Sequence, residues 1–93
     1  MTKEEWKDWY KVFKDSYTEY YFANQEYSNG KNKTIRKEAE EKMEIVKWRI
    51  KNILQDNEEI YELIEFPDEF FTYQWFWEDF QKLLGKIKEK TLE

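Results

Sequence analysis

The side chains in this sequence that could take part in chemistry are carboxylates, because histidine and cysteine are both absent. The chain has 21 Asp and Glu residues. General acid–base catalysis requires a carboxyl group with an altered pKa in a cleft, and an abundance of acids on a small protein does not indicate one. We therefore expect no catalytic residues and no enzyme activity.

The residue types that usually hold cofactors and metals are also missing. Carboxylate metal sites in helical bundles generally include a Glu-x-x-His motif, which a chain without histidine cannot form. With Gly30 and Gly85 as its two glycines, the sequence has no P-loop, no Gly-x-Gly-x-x-Gly motif and no EF-hand loop. We expect neither a cofactor nor a metal ion.

Residues 66–80 form an aromatic block in which eight of fifteen residues are aromatic, four are acidic and none is basic. Large exposed apolar patches are rare on soluble monomers, so this block must be buried or must contact a partner. On a helix, Phe71 and Trp75 would lie one turn apart, away from the main apolar stripe, with Glu69 and other acids around them. The residues predicted to bind a partner are Phe71, Trp75, Glu78, Asp79, Asp68, Glu65 and Glu62.

The charges are distributed unevenly along the chain, whose net charge is −5. Residues 56–82 carry nine acids and one Lys, whereas residues 28–55 carry eight Lys or Arg and four acids. Apolar anchors surrounded by acids complement a basic site on a protein partner. The same unevenness would also arise in two simpler ways: acids are common in the first turn of helices, and the basic segment could neutralise the acidic one within the fold.

These features predict a small, non-enzymatic binding or inhibitor protein, by physical analogy with inhibitors that imitate the charge of nucleic acid. Its short length and its composition, rich in Lys, Glu, Asn, Tyr and Ile, suggest a phage or mobile-element protein. One alternative is a homodimer closed by the same aromatic surface. The other is weak binding of single-stranded nucleic acid by Trp48, Lys47, Arg49 and Lys51. We interpret Trp48 instead as packed against a second helix or beneath lysine stems, because a negative chain repels phosphate.

Helix signals occur throughout the sequence. Thr2 and Glu5 form a capping box that starts the first helix, and Gly30 is predicted to end it in a left-handed conformation. Asn32 or Thr34 is predicted to cap the second helix. The apolar stripe of the first helix comprises Trp6, Trp9, Tyr10, Phe13, Tyr17, Tyr20, Tyr21 and Tyr27. The stripe of the second comprises Ile35, Ala39, Met43, Val46, Ile50, Ile53 and Leu54.

The remaining elements are a short helix beginning at residues 56–59 and a last helix beginning at Pro67. The short helix presents Ile60, Leu63 and Ile64 on one face. Residues 71–77 alternate in a way typical of a strand, but a helical stripe continues to Ile87, and the sequence offers no second strand for pairing, so we favour a helix.

We therefore predict an all-α fold: a compact antiparallel bundle of three long helices and one short helix, with an aromatic-rich core. The 93 residues are expected to form a single helical domain. No apolar stretch approaches the roughly 20 residues of a membrane span. We expect no membrane association and a cytoplasmic location, which would be the host cytoplasm if the protein is phage-encoded.

Overall fold

A computed structural model describes residues 1–64 and 76–92 of the chain. The described residues form four α-helices and no β-strand, which confirms the predicted all-α class. Helix α1 spans Lys3–Asn29, α2 spans Lys33–Asp56, α3 spans Glu58–Tyr61 and α4 spans Phe76–Leu92. The predicted helix start at Pro67 and the alternating residues 71–75 lie outside the described residues.

The first turn of α1 is held by the predicted capping box. The Glu5 backbone N–H donates to Thr2 Oγ1 at 3.2 Å, and the Thr2 backbone N–H donates to Glu5 Oε1 at 3.4 Å. Two backbone donors that the helix itself cannot satisfy are paired in this way. The chain therefore enters α1 at the residue indicated by the sequence.

The end of α1 is at the predicted place but has a different cause. Gly30 has a φ of −63°, so the predicted left-handed conformation was wrong. A Cβ at this position would lie 2.6 Å from Arg36 Cγ and 3.1 Å from the Glu26 carbonyl oxygen. Glycine therefore fits here because the chain passes close to its own neighbours at the turn between α1 and α2.

The starts of α2 and α3 use two asparagines. Asn32 caps α2, since the Ile35 backbone N–H donates to Asn32 Oδ1 at 2.9 Å, whereas Thr34 lies inside the helix. Asn57 is the N-cap residue of α3, but its side chain donates backwards to the Ile53 carbonyl at 2.8 Å. Asn57 thus links the end of α2 to the short helix that follows it.

The core lies between α1 and the helices packed against it, α2 and α4. Phe80 on α4 is fully buried; its ring stacks on Tyr17 at 5.6 Å and approaches Phe13 at 6.3 Å. Ile60 attaches α3 and is also fully buried. The buried hydrophobic residues are Trp6, Phe13, Tyr20, Ala23, Ala39, Met43, Val46, Ile50, Leu54, Ile60, Phe80, Leu83 and Ile87.

Two residues of the predicted stripes neither belong to this core nor pack against it, whereas Trp9, Tyr10, Tyr17, Tyr27 and Ile53 are partly buried against it. Tyr21 is exposed, and its ring packs edge-on against Phe22 on the outer side of α1. Ile35 is exposed in the first turn of α2, close to the end of the helix pair. The stripe of α1 is therefore narrower than its spacing predicted, because α2 and α4 cover only part of the surface of α1, and the stripe of α2 is shorter by its first turn.

Helix α4 continues through Gly85 to Leu92. Gly85 is exposed, and a Cβ added there would meet no atom within 4 Å. Within the part of the chain that is described, no helix combines the length and the apolarity needed to cross a membrane.

Candidate interaction surfaces

The structure describes three of the seven residues predicted to bind a partner. Glu62 is exposed in the turn after α3, Glu78 is exposed in the first turn of α4, and Asp79 beside it is partly buried. The other four, Glu65, Asp68, Phe71 and Trp75, lie outside the described residues. The predicted pairing of Phe71 with Trp75 thus remains a prediction.

Helix α3 carries acidic side chains and is fixed to the core by a buried residue. Its first turn contains Glu58 and Glu59, and the Glu59 carboxylate pairs with the Met1 amino group at 2.7 Å. Glu58 and Glu62 are exposed and form no ion pair with any described residue. The fully buried Ile60 fixes this short helix against the core. Glu62, which is one of the predicted partner-binding residues, and Glu58 therefore both face solvent.

Two cations of α2 form ion pairs with acids on α1. Lys42 Nζ lies 3.0 Å from Glu26 Oε2, and Arg49 NH1 lies 2.8 Å from Glu19 Oε2, so both pairs join α2 to α1. The sequence also allowed the basic helix to neutralise the acidic segment 56–82 within the fold. Among the described residues, no ion pair joins α2 to that segment. Exposed pairs of this kind contribute little stability, but they determine which charges remain unpaired.

Trp48 is 68% exposed. The interpretation that it packs against another helix or beneath lysine stems was therefore wrong. It follows from the helical spacing that Trp48 lies nearly opposite the buried stripe, where α1 does not reach.

The cations flanking Trp48 in sequence do not gather around its indole ring. Arg49 is directed to Glu19 on α1, and Lys47 Nζ lies 3.6 Å from Glu44 with a side chain only 12% exposed. Lys51, one turn further on, forms no ion pair with a described residue. Because a nucleic-acid strand would require cations converging beside the ring, this arrangement disfavours it.

We accordingly expect single-stranded oligonucleotide to leave the fluorescence of Trp48 unchanged at low salt, where phosphate binding would be strongest. The signal of this residue is obtained as the difference between the wild-type protein and Trp48→Phe, since the chain has four other tryptophans. Quenching that appears in the wild type and disappears in Trp48→Phe would restore the nucleic-acid hypothesis.

A groove between α1 and α2 was not predicted from the sequence. It has a volume of about 380 Å³, and Phe22 and Ile45, 59% and 57% exposed, stand beside Ala23 and Val46. The two ion pairs that join the helices also line it, Glu19–Arg49 and Glu26–Lys42. The only signal in the sequence was that Phe22 and Ile45 fall outside the apolar stripes, and their meeting depends on the register of the two helices.

Among the described residues, no group of three or more acidic side chains is placed to hold a metal ion. Comparisons with protein-family models, with curated proteins and with solved structures found no significant match.

Proposed function

We propose that this protein is a non-enzymatic binding protein that contacts a basic site on a protein partner. The contact surface comprises the acids Glu62, Glu65, Asp68, Glu78 and Asp79 with Phe71 and Trp75 as apolar anchors. Aromatic side chains in a desolvated centre supply most of the affinity of such contacts, and a charged rim supplies the orientation and the association rate.

One observation carries this proposal. The cations Lys42 and Arg49 of the basic helix pair with α1, while Glu58 and Glu62 remain exposed and unpaired among the described residues. Residues 56–82 hold nine acids and one Lys, and a segment with this excess of negative charge favours an external cation-rich surface. An inhibitor that occupies the nucleic-acid site of a DNA- or RNA-handling protein, encoded by a phage or mobile element and acting in the cytoplasm, would have this character.

The same proposal includes the arrangement of the helices as an antiparallel bundle in a single domain. The ion pairs Glu19–Arg49 and Glu26–Lys42 support it, because higher residue numbers on α1 meet lower numbers on α2. Short connections, such as residues 30–32 between α1 and α2, favour antiparallel neighbours as well. A bundle of this kind would hold α3 and the start of α4 as a rigid support for the contact surface.

The proposal is tested by affinity capture from the source cell with four matched baits. These are the wild type, Phe71→Ala/Trp75→Ala, Glu62→Gln/Glu78→Gln, and the control Glu4→Gln/Glu89→Gln, which has the same net charge as the third bait but places the change elsewhere. We expect at least one partner with a basic surface to bind the wild type and the control, to be reduced at least tenfold with the other two, and to elute with salt. Equal recovery with all four baits would exclude this surface.

A further inference from the structure

Lys86 on α4 uses its ammonium group to hold the backbone of a distant segment. Lys86 Nζ donates to the Leu63 backbone carbonyl at 2.8 Å, in a hydrogen bond that is partly buried. Leu63 lies in the turn after α3, and this turn also carries the exposed Glu62. The contact therefore joins that turn to α4.

The Leu63 carbonyl needs a donor from outside its own segment. The Ile64 backbone N–H donates to the Tyr61 carbonyl at 3.1 Å, so short-range hydrogen bonding continues past the end of α3. If an α-helix continued from there, the Leu63 carbonyl would accept from the residue four positions on. That residue is Pro67, which has no backbone N–H. Lys86 supplies a donor in its place, as lysines near helix ends often do.

Lys86 shares one face of α4 with Asp79. The two residues are seven positions apart, which is nearly two full turns, so their directions around the helix differ by only about 20°. Both side chains are partly buried. Because Lys86 reaches Leu63 from this face, the turn that carries Glu62 lies on the same side of α4 as Asp79.

We infer that Lys86 is a positioning residue for the proposed partner-binding surface. It fixes the turn that carries Glu62 against the face of α4 that carries Asp79, and it thereby sets the spacing of these two acids. At 1.5 Å per residue, Asp79 lies roughly 10 Å along α4 from Lys86. The inference rests on the proposed function, because Lys86 acts through the two acids.

The contact also leaves the charges of both acids available to a partner. The Lys86 ammonium group is held by a neutral carbonyl and forms no ion pair with a described residue. Glu62 and Asp79 likewise form none within the described ranges, and neither does the exposed Lys82.

Fixed spacing determines which kind of basic partner fits the surface. Two acids at a fixed separation favour a folded partner whose cations have a matching spacing, because charge complementarity then supplies specificity. A flexible polycation adapts to any spacing, so its binding follows the net charge of the protein. Loss of the Lys86 contact should therefore weaken binding of a folded basic partner and spare binding of a flexible one.

Double electron–electron resonance measures the spacing itself. Spin labels are attached through Glu62→Cys and Glu78→Cys, both at exposed positions of a chain without native cysteine. Lys86→Met keeps the aliphatic stem but lacks the donor, and it is expected to widen the distance distribution at least twofold. Lys86→Arg, which can still donate, should restore the narrow distribution.

Lys88→Met is the matched control, because it makes the same change of charge at an exposed lysine two residues further along α4. We expect it to keep the narrow distribution. Circular dichroism should show equal helicity for all of these proteins, since Lys86 is not among the buried core residues. If Lys86→Met lost helix, Lys86→Gln, which keeps a polar end, would take its place.

Binding is then measured with two probes. A flexible oligolysine peptide is expected to bind Lys86→Met and Lys88→Met equally, because each substitution changes the net charge from −5 to −6. The folded basic partner recovered with the wild-type bait is expected to bind Lys86→Met at least fivefold more weakly than Lys88→Met. Lys86→Arg should bind that partner as the wild type does.

Two results would overturn the inference: equal distance distributions in Lys86→Met and Lys88→Met, or equal binding of the folded partner to both. If the wild-type bait recovered no basic partner, the proposed function would fail. The distance measurement needs no partner and would still decide whether Lys86 positions the acids, so failure of the two proposals is distinguishable.

Discussion

Phe80→Ala is expected to lower the free energy of unfolding by about 3–5 kcal/mol, the usual effect of removing a buried Phe side chain. The ring is fully buried between Phe13 and Tyr17, so its loss leaves a cavity at the junction of α1 and α4. A domain of this size has a total stability of only about 5–15 kcal/mol, so this substitution removes a large share of it. Urea denaturation followed by far-UV circular dichroism measures the change.

Phe22→Ala is the matched control, because it makes the same chemical change on the exposed side of α1. We expect it to change the free energy of unfolding by less than about 1 kcal/mol when measured at low micromolar concentration. If both variants lost the same stability, the assignment of Phe80 to the core and Phe22 to the surface would be refuted.

Ile60→Ala is expected to cost about 2–5 kcal/mol. The Ile60 side chain is fully buried, and α3, with only four residues, cannot maintain its conformation without that contact. The loss should therefore be concentrated in α3 and the turn after it. There, the backbone N–H groups of Leu63 and Ile64 donate to the carbonyls of Ile60 and Tyr61 at 3.0 and 3.1 Å.

Native-state hydrogen exchange measures this local effect. The amides of Leu63 and Ile64 should lose most of their protection in Ile60→Ala, while the amides of α1 retain more of theirs. Tyr61→Ala, at the neighbouring exposed residue, should leave the exchange of both groups nearly unchanged. A uniform loss of protection over the whole chain would show that α3 is not a separate unit. Because Glu58 is on α3 and Glu62 is in the turn that follows it, we also expect Ile60→Ala to weaken binding to a basic partner.

The sequence predicted α1 and α2 well because their signals are local. The Thr2–Glu5 capping box and the Asn32 cap each depend on residues three positions apart. The spacing of Ile50 and Leu54 likewise reports the buried face of α2 without knowledge of the other helices. Capping and amphipathic spacing both act within one or two turns, so they can be read from the chain itself.

The candidate surfaces were harder to predict because they depend on which helices meet. Helical spacing places Trp48 opposite the buried stripe of α2, but it does not tell whether another part of the chain covers that side. Phe22 and Ile45 belong to different helices. Their proximity follows from the register of α1 against α2, in which Glu19 pairs with Arg49 and Glu26 pairs with Lys42. The conformation of Gly30 could not be predicted either, since its reason is a close approach to Arg36 across the turn.

The position of α1 between α2 and α4 has a consequence for synthesis of the protein on the ribosome. Phe13 is made early, but the ring that covers it, Phe80, follows 67 residues later. At about 5–20 residues per second, the nascent chain presents part of its apolar face to the cell for several seconds. Chaperones that recognise aromatic segments would have this interval in which to bind, and a chain released before α4 would remain a target for proteolysis.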